Sequence, residues 1–359
     1  MQVFQKVLDK SLNYQFDGRY KLDEILFFDI ETTGFSPKTT VVYLIGCVYY
    51  SEGTFKTIQW FADDKYSEAK ILQAFFQHLK KYKVLIHFNG EGFDIPYIQK
   101  KCIQYQLNCN FDHIESIDIY KKIKPYKKFL KLDNLKQKTI EHFLDIRRED
   151  KYSGGELIQI YGEYLKSKYH TNIANEELLH LLLLHNEEDI EGLLDVTNVL
   201  NYSDLFHNPL DVTSASLEEN ELILNIHFNC NLPKRITFGN EQCYFIAYGE
   251  NGTLKIKLYK NELQFFYDNY KDYYYLPEED TAIHKSVAFS VDKDFRTKAK
   301  AANCYSKKTG SFVPQYKEII TPYFRIDYFD KITYVETTKD FIENREQLNQ
   351  YAKHILCNM

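Results

Sequence analysis

The 359-residue chain has no apolar run of the length a helical membrane span requires, roughly 18–20 residues. Its start, Met1-Gln-Val-Phe-Gln-Lys6, has neither the apolar stretch nor the small-residue cleavage site of a signal peptide, so a cytoplasmic location and no membrane partner are expected. Cysteine is sparse and odd in number: seven, scattered along the chain, which fits a reducing compartment better than a disulfide framework. Cys102 and Cys109 are the closest pair, but no second Cys/His pair at zinc spacing accompanies them. Glycine is scarce too, at 14, beside many Tyr, Lys, Asn and Ile, which reads as the codon bias of an AT-rich genome. There is no internal repeat and no low-complexity tract. The net charge of −6 does not by itself point to a polyanionic partner.

What is present is enough for two domains, each with its own core. Three strand-like runs come first, Glu24–Ile30, Val41–Tyr50 and Phe55–Phe61, separated by Thr-Gly, Ser-Pro and Glu-Gly turn signals. The pattern then alternates: a helix near Ser67–Tyr82, a strand at Val84–Phe88, a helix near Ile95–Leu107 and a strand at Glu115–Tyr120. Helices are expected near Asn134–Phe143, Gly154–Tyr169 and Glu176–Leu200, with Ser153-Gly-Gly-Glu156 spaced as a capping box. A meander followed by β-α-β implies an α/β domain with a mixed five-stranded sheet flanked by helices. Its expected bounds are 21–205, after an N-terminal segment 1–20. A linker at 206–214, in the Pro- and Ser/Thr-rich stretch from Asn201, leads to a β-rich α+β domain over 215–359. In that domain Gly249-Glu-Asn-Gly252 reads as a hairpin turn, and helical patterns cover Thr281–Ala301 and Lys339–Leu356.

Three motifs carry chemistry. In Ile25-Leu-Phe-Phe-Asp29-Ile-Glu31-Thr-Thr-Gly34, residues two apart on a strand share a face, so Asp29 and Glu31 point the same way. Adjacent carboxylates repel unless a cation lies between them, and hard divalent cations suit oxygen ligands. The plain alternative is a solvated strand end. In Asn89-Gly-Glu-Gly-Phe-Asp94-Ile-Pro96, a buried strand gives way to a helix. Asp94 there is either a simple N-cap or a carboxylate kept ionised by the helix dipole for a metal. In the helix Glu176–Leu200, one stripe runs Leu178, Leu182, His185, Asp189, Val196 and Leu200. His185 and Asp189, four apart, share that face. A carboxylate pointing inward is costly without a partner or metal, the alternative being a surface stripe beside Asn186, Glu187, Glu188 and Glu191.

Asp-Ile-Glu, then Asn-x-x-x-Phe-Asp, then His-Asn-Glu-Glu-Asp, in that order and on those elements, resembles the DEDD exonucleases, and in particular the YprB-type bacterial ribonuclease H-like proteins. Asp118-Ile-Tyr to Arg148 and Ser153-Gly-Gly-Glu156 look like that group as well, and the resemblance covers roughly residues 20–205. It implies a ribonuclease H-like fold and two-metal hydrolysis of phosphodiester bonds from a 3′ end, with Mg²⁺ or Mn²⁺ as the two ions. Asp29 would bridge the ions, Glu31 and Asp189 would help hold the one that activates water, and Asp94 would help fix the other. His185 would take or orient the water's proton. It stands four residues before Asp189, the spacing of the Tyr branch of that family, with the imidazole of the other branch. Thr32 and Asn89, inside the motifs, are candidate substrate-binding residues, and Asp118 is expected to support the site rather than bind metal.

The nucleic-acid partner, a single-stranded 3′ end of DNA or RNA, needs cations near its phosphates. Tyr120–Lys138 is rich in them: Lys121, Lys122, Lys124, Lys127, Lys128, Lys131, Lys136 and Lys138 against one acid, Asp133. Tyr120, Tyr126 and Phe129 are interleaved and suited to stacking. Lys122, Lys124, Lys127 and Lys128 are the candidate phosphate contacts, and a solvated charged loop is the alternative. A weaker basic stretch is Lys285–Lys308, after an aromatic run, Phe265–Tyr275, that reads better as core. Two other functions remain open on sequence: a nuclease-fold binding protein with weak or no catalysis, and a scaffolding role in a complex.

Overall fold

Ile25–Thr32 is an almost unbroken apolar strand whose residues are buried except around Asp29 and Thr32, as a central strand covered on both faces demands. In a computed structural model of the chain it lies inside a six-stranded sheet. The structure describes all residues except 17, 65, 172 and 173 and the side chain at 171. Two compact units emerge, Met1–Ser203 and Asp204–Met359.

In the first unit the strands are β1 (Gln2–Leu8), β2 (Ile25–Thr32), β3 (Val42–Ser51), β4 (Thr54–Phe61), β5 (Val84–His87) and β6 (Glu115–Asp118), in the order β1-β4-β3-β2-β5-β6. β1 to β4 form antiparallel pairs, and β5 and β6 join parallel to β2. The helices are α1 (Glu68–Leu79), α2 (Asp94–Gln104), α3 (Ile119–Ile123), α4 (Lys127–Leu130), α5 (Gln137–Phe143), α6 (Gly154–Thr171) and α7 (Glu176–Val196). The sheet gains its sixth strand from the stretch expected to be only an N-terminal segment. β1 was hard to read because it is an edge strand: Val3 and Val7 are exposed, and only Phe4 and Leu8 turn toward the core.

Capping sets the two long helices. Glu156 accepts the backbone N–H of Ser153 at 2.7 Å at the start of α6, and Asn175 accepts from Glu177 and Leu178 at the start of α7. Beneath the sheet lies a wholly buried ion pair that the pattern did not announce. Glu68 of α1 meets Lys101 of α2 at 3.1 Å and also accepts from Val42 N–H (2.8 Å) and the Tyr105 hydroxyl (2.6 Å). Each oxygen is satisfied, which makes such burial tolerable.

The second unit is β-rich, as expected. After α8 (Asn201–His207) come β7 (Leu210–Leu217), β8 (Glu221–Gly239) and β9 (Cys243–Lys257) in one sheet of order β7-β8-β9. The segment 206–214, read as a linker, therefore holds helix end and strand. Asn208-Pro209 is only a brief break, and Leu210 and Val212 supply the strand's buried face. Gly249–Gly252 is not a hairpin turn: β9 runs straight through it beside the long β8, and Gly249, at φ +60°, takes up a register shift. The remaining strands are β10 (Tyr259–Phe266), β11 (Tyr273–Leu276), β12 (Thr281–His284), β13 (Thr297–Lys298), β14 (Tyr305–Gln315), β15 (Tyr323–Phe324) and β16 (Thr333–Glu336). They form a four-stranded sheet, β10-β14-β16-β15, and a three-stranded one, β12-β11-β13. Thr281–Ala301, expected to be helical, holds two of these strands with only a short helix, α9 (Lys285–Ala288), and a 3-10 turn, Lys293–Phe295, between them. Cross-strand pairing with Tyr273–Leu276 overrides a weak helical pattern. Lys339–Leu356 is helical, as α10 (Lys339–Glu343) and α11 (Arg345–Asn358), broken where Asn344 caps α11. Among the described residues no helix is long and apolar enough to cross a membrane.

Candidate active site

Asp29 and Glu31 leave the same face of β2, with Ile30 buried on the other. The residue opposite Asp29 on β3 is Gly46. A Cβ at Gly46 would come within 2.0 Å of Asn186 Oδ1, so this glycine is what lets α7 lie against the sheet. Asn186, wholly buried, donates from Nδ2 to Asp29 Oδ2 at 3.1 Å. Its Oδ1 accepts from Gln59 Nε2 at 3.0 Å, and the same Nε2 donates to the Leu183 carbonyl. Gln59 thus fixes which end of the Asn186 amide faces the carboxylate.

One residue earlier and three later on α7 stand His185 and Asp189. His185 Nε2 lies 3.3 Å from Asp189 Oδ2 and 3.5 Å from Glu31 Oε1. Ligand atoms of Glu31, His185 and Asp189 all fall within 4.8 Å of one another. Asp94 is the first residue of α2, with Phe93 in the N-cap position, so its carboxylate does not cap its own helix as a plain N-cap would. It is buried and is held partly in check by the backbone N–H groups of Asp94 and Ile30, the latter on β2.

The electrostatics follow from this crowding. Burial, then the charges of Asp94, Asp189 and Glu31, push the Asp29 carboxyl well above its usual range. Burial, then Asp189, Asp94 and Asp150, do the same to Glu31. Burial raises Asp94 to about 7, with Asp118 and Asp189 adding to the shift. Buried carboxylates that raise one another are a site short of positive charge. Three or four hard oxygen donors with one imidazole are a donor set that fits divalent cations such as Mg²⁺ or Mn²⁺.

Residues 26–201 match the family model RNase_H_2, described as RNase_H superfamily. The first unit has the ribonuclease H-like fold. Among solved structures the chain is similar to the family B DNA polymerase from the hyperthermophilic archaeon Pyrobaculum calidifontis, at 12% identity and a TM-score of 0.33, covering 69% of this chain and 35% of that one. It is also similar to a moderately thermophilic Exonuclease I from Methylocaldum szegediense, at 8% identity and a TM-score of 0.31, covering 56% of this chain and 53% of that one. The chain therefore spans about a third and about half of their lengths. No curated protein sequence matches it.

Beside the carboxylate cluster, Asp118 at the end of β6 is a structural support. Its carboxylate accepts from the N–H groups of Asn89 (2.9 Å), Glu91 (3.2 Å) and Lys121 (3.2 Å), holding the loop before Asp94. Asn89 is exposed in a left-handed turn at φ +61°, while the Thr32 hydroxyl is turned to the Gly34 carbonyl at 3.0 Å. Lys122, Lys124, Lys127 and Lys128 are exposed on α3, α4 and the turn between them, directly after β6. Lys124 sits over the Tyr120 ring and Lys128 over Phe129. Lys138, from the same basic stretch, is exposed too, but its ammonium reaches back to Asp150 Oδ2 at 3.0 Å. Sequence reasoning missed Arg148 and Asp150. Arg148 pairs with Asp189 Oδ1 at 2.6 Å and Glu141 at 2.9 Å, and Asp150 Oδ2 meets His185 Nδ1 at 2.7 Å. The compact charged run Arg147-Arg-Glu-Asp150 was the available signal. Phe35, exposed just beyond β2 and edge-on to Phe93 at 6.0 Å, also went unremarked.

Proposed function

We infer that the ribonuclease H-like unit is a metal-dependent 3′→5′ exonuclease of the DEDD, YprB-like type, acting on single-stranded DNA or RNA. The observation that carries this reading is the convergence of buried, mutually repelling Asp29, Glu31 and Asp94 with His185 and Asp189 of α7. Asp29, Glu31, Asp94 and Asp189 would hold two Mg²⁺ or Mn²⁺ ions. When bound, these would supply Lewis acidity toward the phosphoryl group and the attacking water. Asn186 keeps the Asp29 carboxylate turned to a fixed side. His185 accepts the water's proton at Nε2 as the new P–O bond forms and the bond to the departing 3′ oxygen breaks. Each cycle would release a nucleoside 5′-monophosphate.

The exposed Lys122, Lys124, Lys127 and Lys128 suit the phosphates upstream of that bond, and Tyr126, Phe129 and Phe35 offer ring faces for bases. Thr32 and Asn89 flank the carboxylates and complete the substrate contacts. The test is a panel of 5′-labelled single- and double-stranded DNA and RNA incubated with Mg²⁺ or Mn²⁺. A descending ladder with wild type and none with Asp29→Ala is expected. Internal cleavage, or an equal ladder with Asp29→Ala, would overturn the reading.

A further inference from the structure

His185 has carboxylates on both sides of its ring and a hydrogen bond on one. Nδ1 lies 2.7 Å from Asp150 Oδ2, while Nε2 looks out at Asp189 (3.3 Å) and Glu31 (3.5 Å). A neutral imidazole carries one N–H and one lone pair, and the hydrogen bond at one nitrogen decides which is which. We propose that Asp150 is the positioning residue of His185, keeping the ring proton on Nδ1 and turning a bare Nε2 toward Glu31 and Asp189. This rests on the nuclease reading only for the task given to Nε2; the orientation itself stands on the geometry.

Three features suit Asp150 to the role. Its side chain is 2% exposed, and its oxygens are engaged besides: Lys138 Nζ donates to Oδ2 at 3.0 Å and Tyr152 N–H to Oδ1 at 3.1 Å. Burial pushes its carboxyl up, yet the bonds from Lys138, Tyr152 and His185 outweigh this and leave it below the usual range, so it acts as an acceptor. Its backbone is pinned to the helix that carries His185. Glu188 of α7 accepts the N–H of Glu149 at 2.7 Å and of Asp150 at 2.9 Å, one oxygen each. Two residues back, Arg148 Nη1 holds Asp189 Oδ1 at 2.6 Å, and Nη2 reaches the His185 carbonyl at 3.4 Å. The segment Arg148–Asp150 therefore grips both functional side chains of α7, one through each end. An Asp150 serving only as an anchor would need Lys138 and Tyr152 but not the imidazole.

The experiment uses the full chain with ¹⁵N-labelled histidine rings, saturated with Mg²⁺ at about pH 8.5, where an ordinary imidazole is neutral. His185→Gln assigns the signals. Wild type is expected to show His185 protonated on Nδ1 and bare on Nε2, and Asp150→Ala to lose that preference. On a labelled single strand, Asp150→Ala should lower kcat on the order of 10²-fold with KM nearly unchanged. Should the alanine variant not fold, Asp150→Leu replaces it: it keeps roughly the branched shape of the side chain and offers His185, Lys138 and Tyr152 no acceptor in any rotamer. A wild-type ring protonated on Nε2, or a variant that keeps both the wild-type tautomer and kcat, would overturn the proposal. If wild type hydrolyses nothing, the nuclease reading fails and the ring spectrum alone decides the positioning role.

Discussion

Gly46→Ala is the smallest change that should uncouple α7 from the sheet. The new Cβ would stand 2.0 Å from Asn186 Oδ1, 2.9 Å from its Cγ and 3.0 Å from Ile190 Cδ1. Since real Cβ contacts stay beyond 3.0 Å, the Asn186 oxygen must withdraw by about 1 Å. It cannot rotate freely, because Gln59 and Asp29 hold its two ends. Overpacking of this kind costs about 1–3 kcal/mol, and a strained or broken bond to a carboxylate adds about 1.5–3. A loss of about 2.5–6 kcal/mol is therefore expected from urea unfolding. Activity should fall further than stability: Asn186, His185 and Asp189 share one helix, and a displacement of about 1 Å at a reacting group costs on the order of 10²-fold. The decisive companion is Gly46→Ala with Asn186→Ala. Removing the amide takes away the two closest contacts, so the pair should be about as stable as Asn186→Ala alone, a coupling as large as the Gly46→Ala cost itself, about 2.5–6 kcal/mol. Costs that simply add, or a Gly46→Ala protein as stable and active as wild type, would refute the packing argument.

Lys101→Met should cost about 3–5 kcal/mol in unfolding free energy by stranding the buried Glu68 carboxylate; a loss under about 1 kcal/mol would mean that Val42 N–H and Tyr105 suffice. Replacing Lys122, Lys124, Lys127 and Lys128 by Ala should weaken single-strand binding regardless of sequence. The log-log salt slope should become shallower by roughly 0.7 per lost contact, and an unchanged slope would mark a solvated loop. Burial holds His87 down at about 4, against 6.5 when unfolded, and its Nδ1 accepts the Gly90 N–H at 3.0 Å. Between those values the unfolded chain binds more protons, so this contribution is complete above about pH 6.5 and is lost as pH falls toward 4. Denaturation midpoints of His87→Gln should therefore vary less across that window than those of wild type; an identical slope would contradict the assignment.

The parts of the site that follow a period could be read from the sequence. Asp29 and Glu31 are two apart on a strand, and His185 and Asp189 four apart on a helix, so each pair's common face is a local property of the chain. What joins the pairs is not local. Gly46 matters only because β3 lies opposite Asp29 and under Asn186, and nothing in a lone glycine of a strand says so. Arg148 and Asp150 sit in an irregular stretch between α5 and α6, with no period to aim their side chains, and their partners on α7, His185 and Asp189, are 35 and 41 residues away. The same holds for Lys138, an exposed member of the basic strip whose ammonium reaches back to Asp150. β1 was missed because half of an edge strand's alternation is written in exposed valines. Gly249 misled because a positive φ serves a register shift as well as a turn.

The most direct test of the central claim is single-turnover hydrolysis of a 5′-labelled single strand, followed for wild type, Asp29→Ala and Asp189→Ala across a Mn²⁺ titration, with excess EDTA as the zero point. Wild type is predicted to release mononucleotides only as Mn²⁺ is added, and both variants, folded by circular dichroism, to release essentially none at any Mn²⁺ concentration. Hydrolysis by wild type in EDTA, or by either variant at a rate near wild type, would contradict the account.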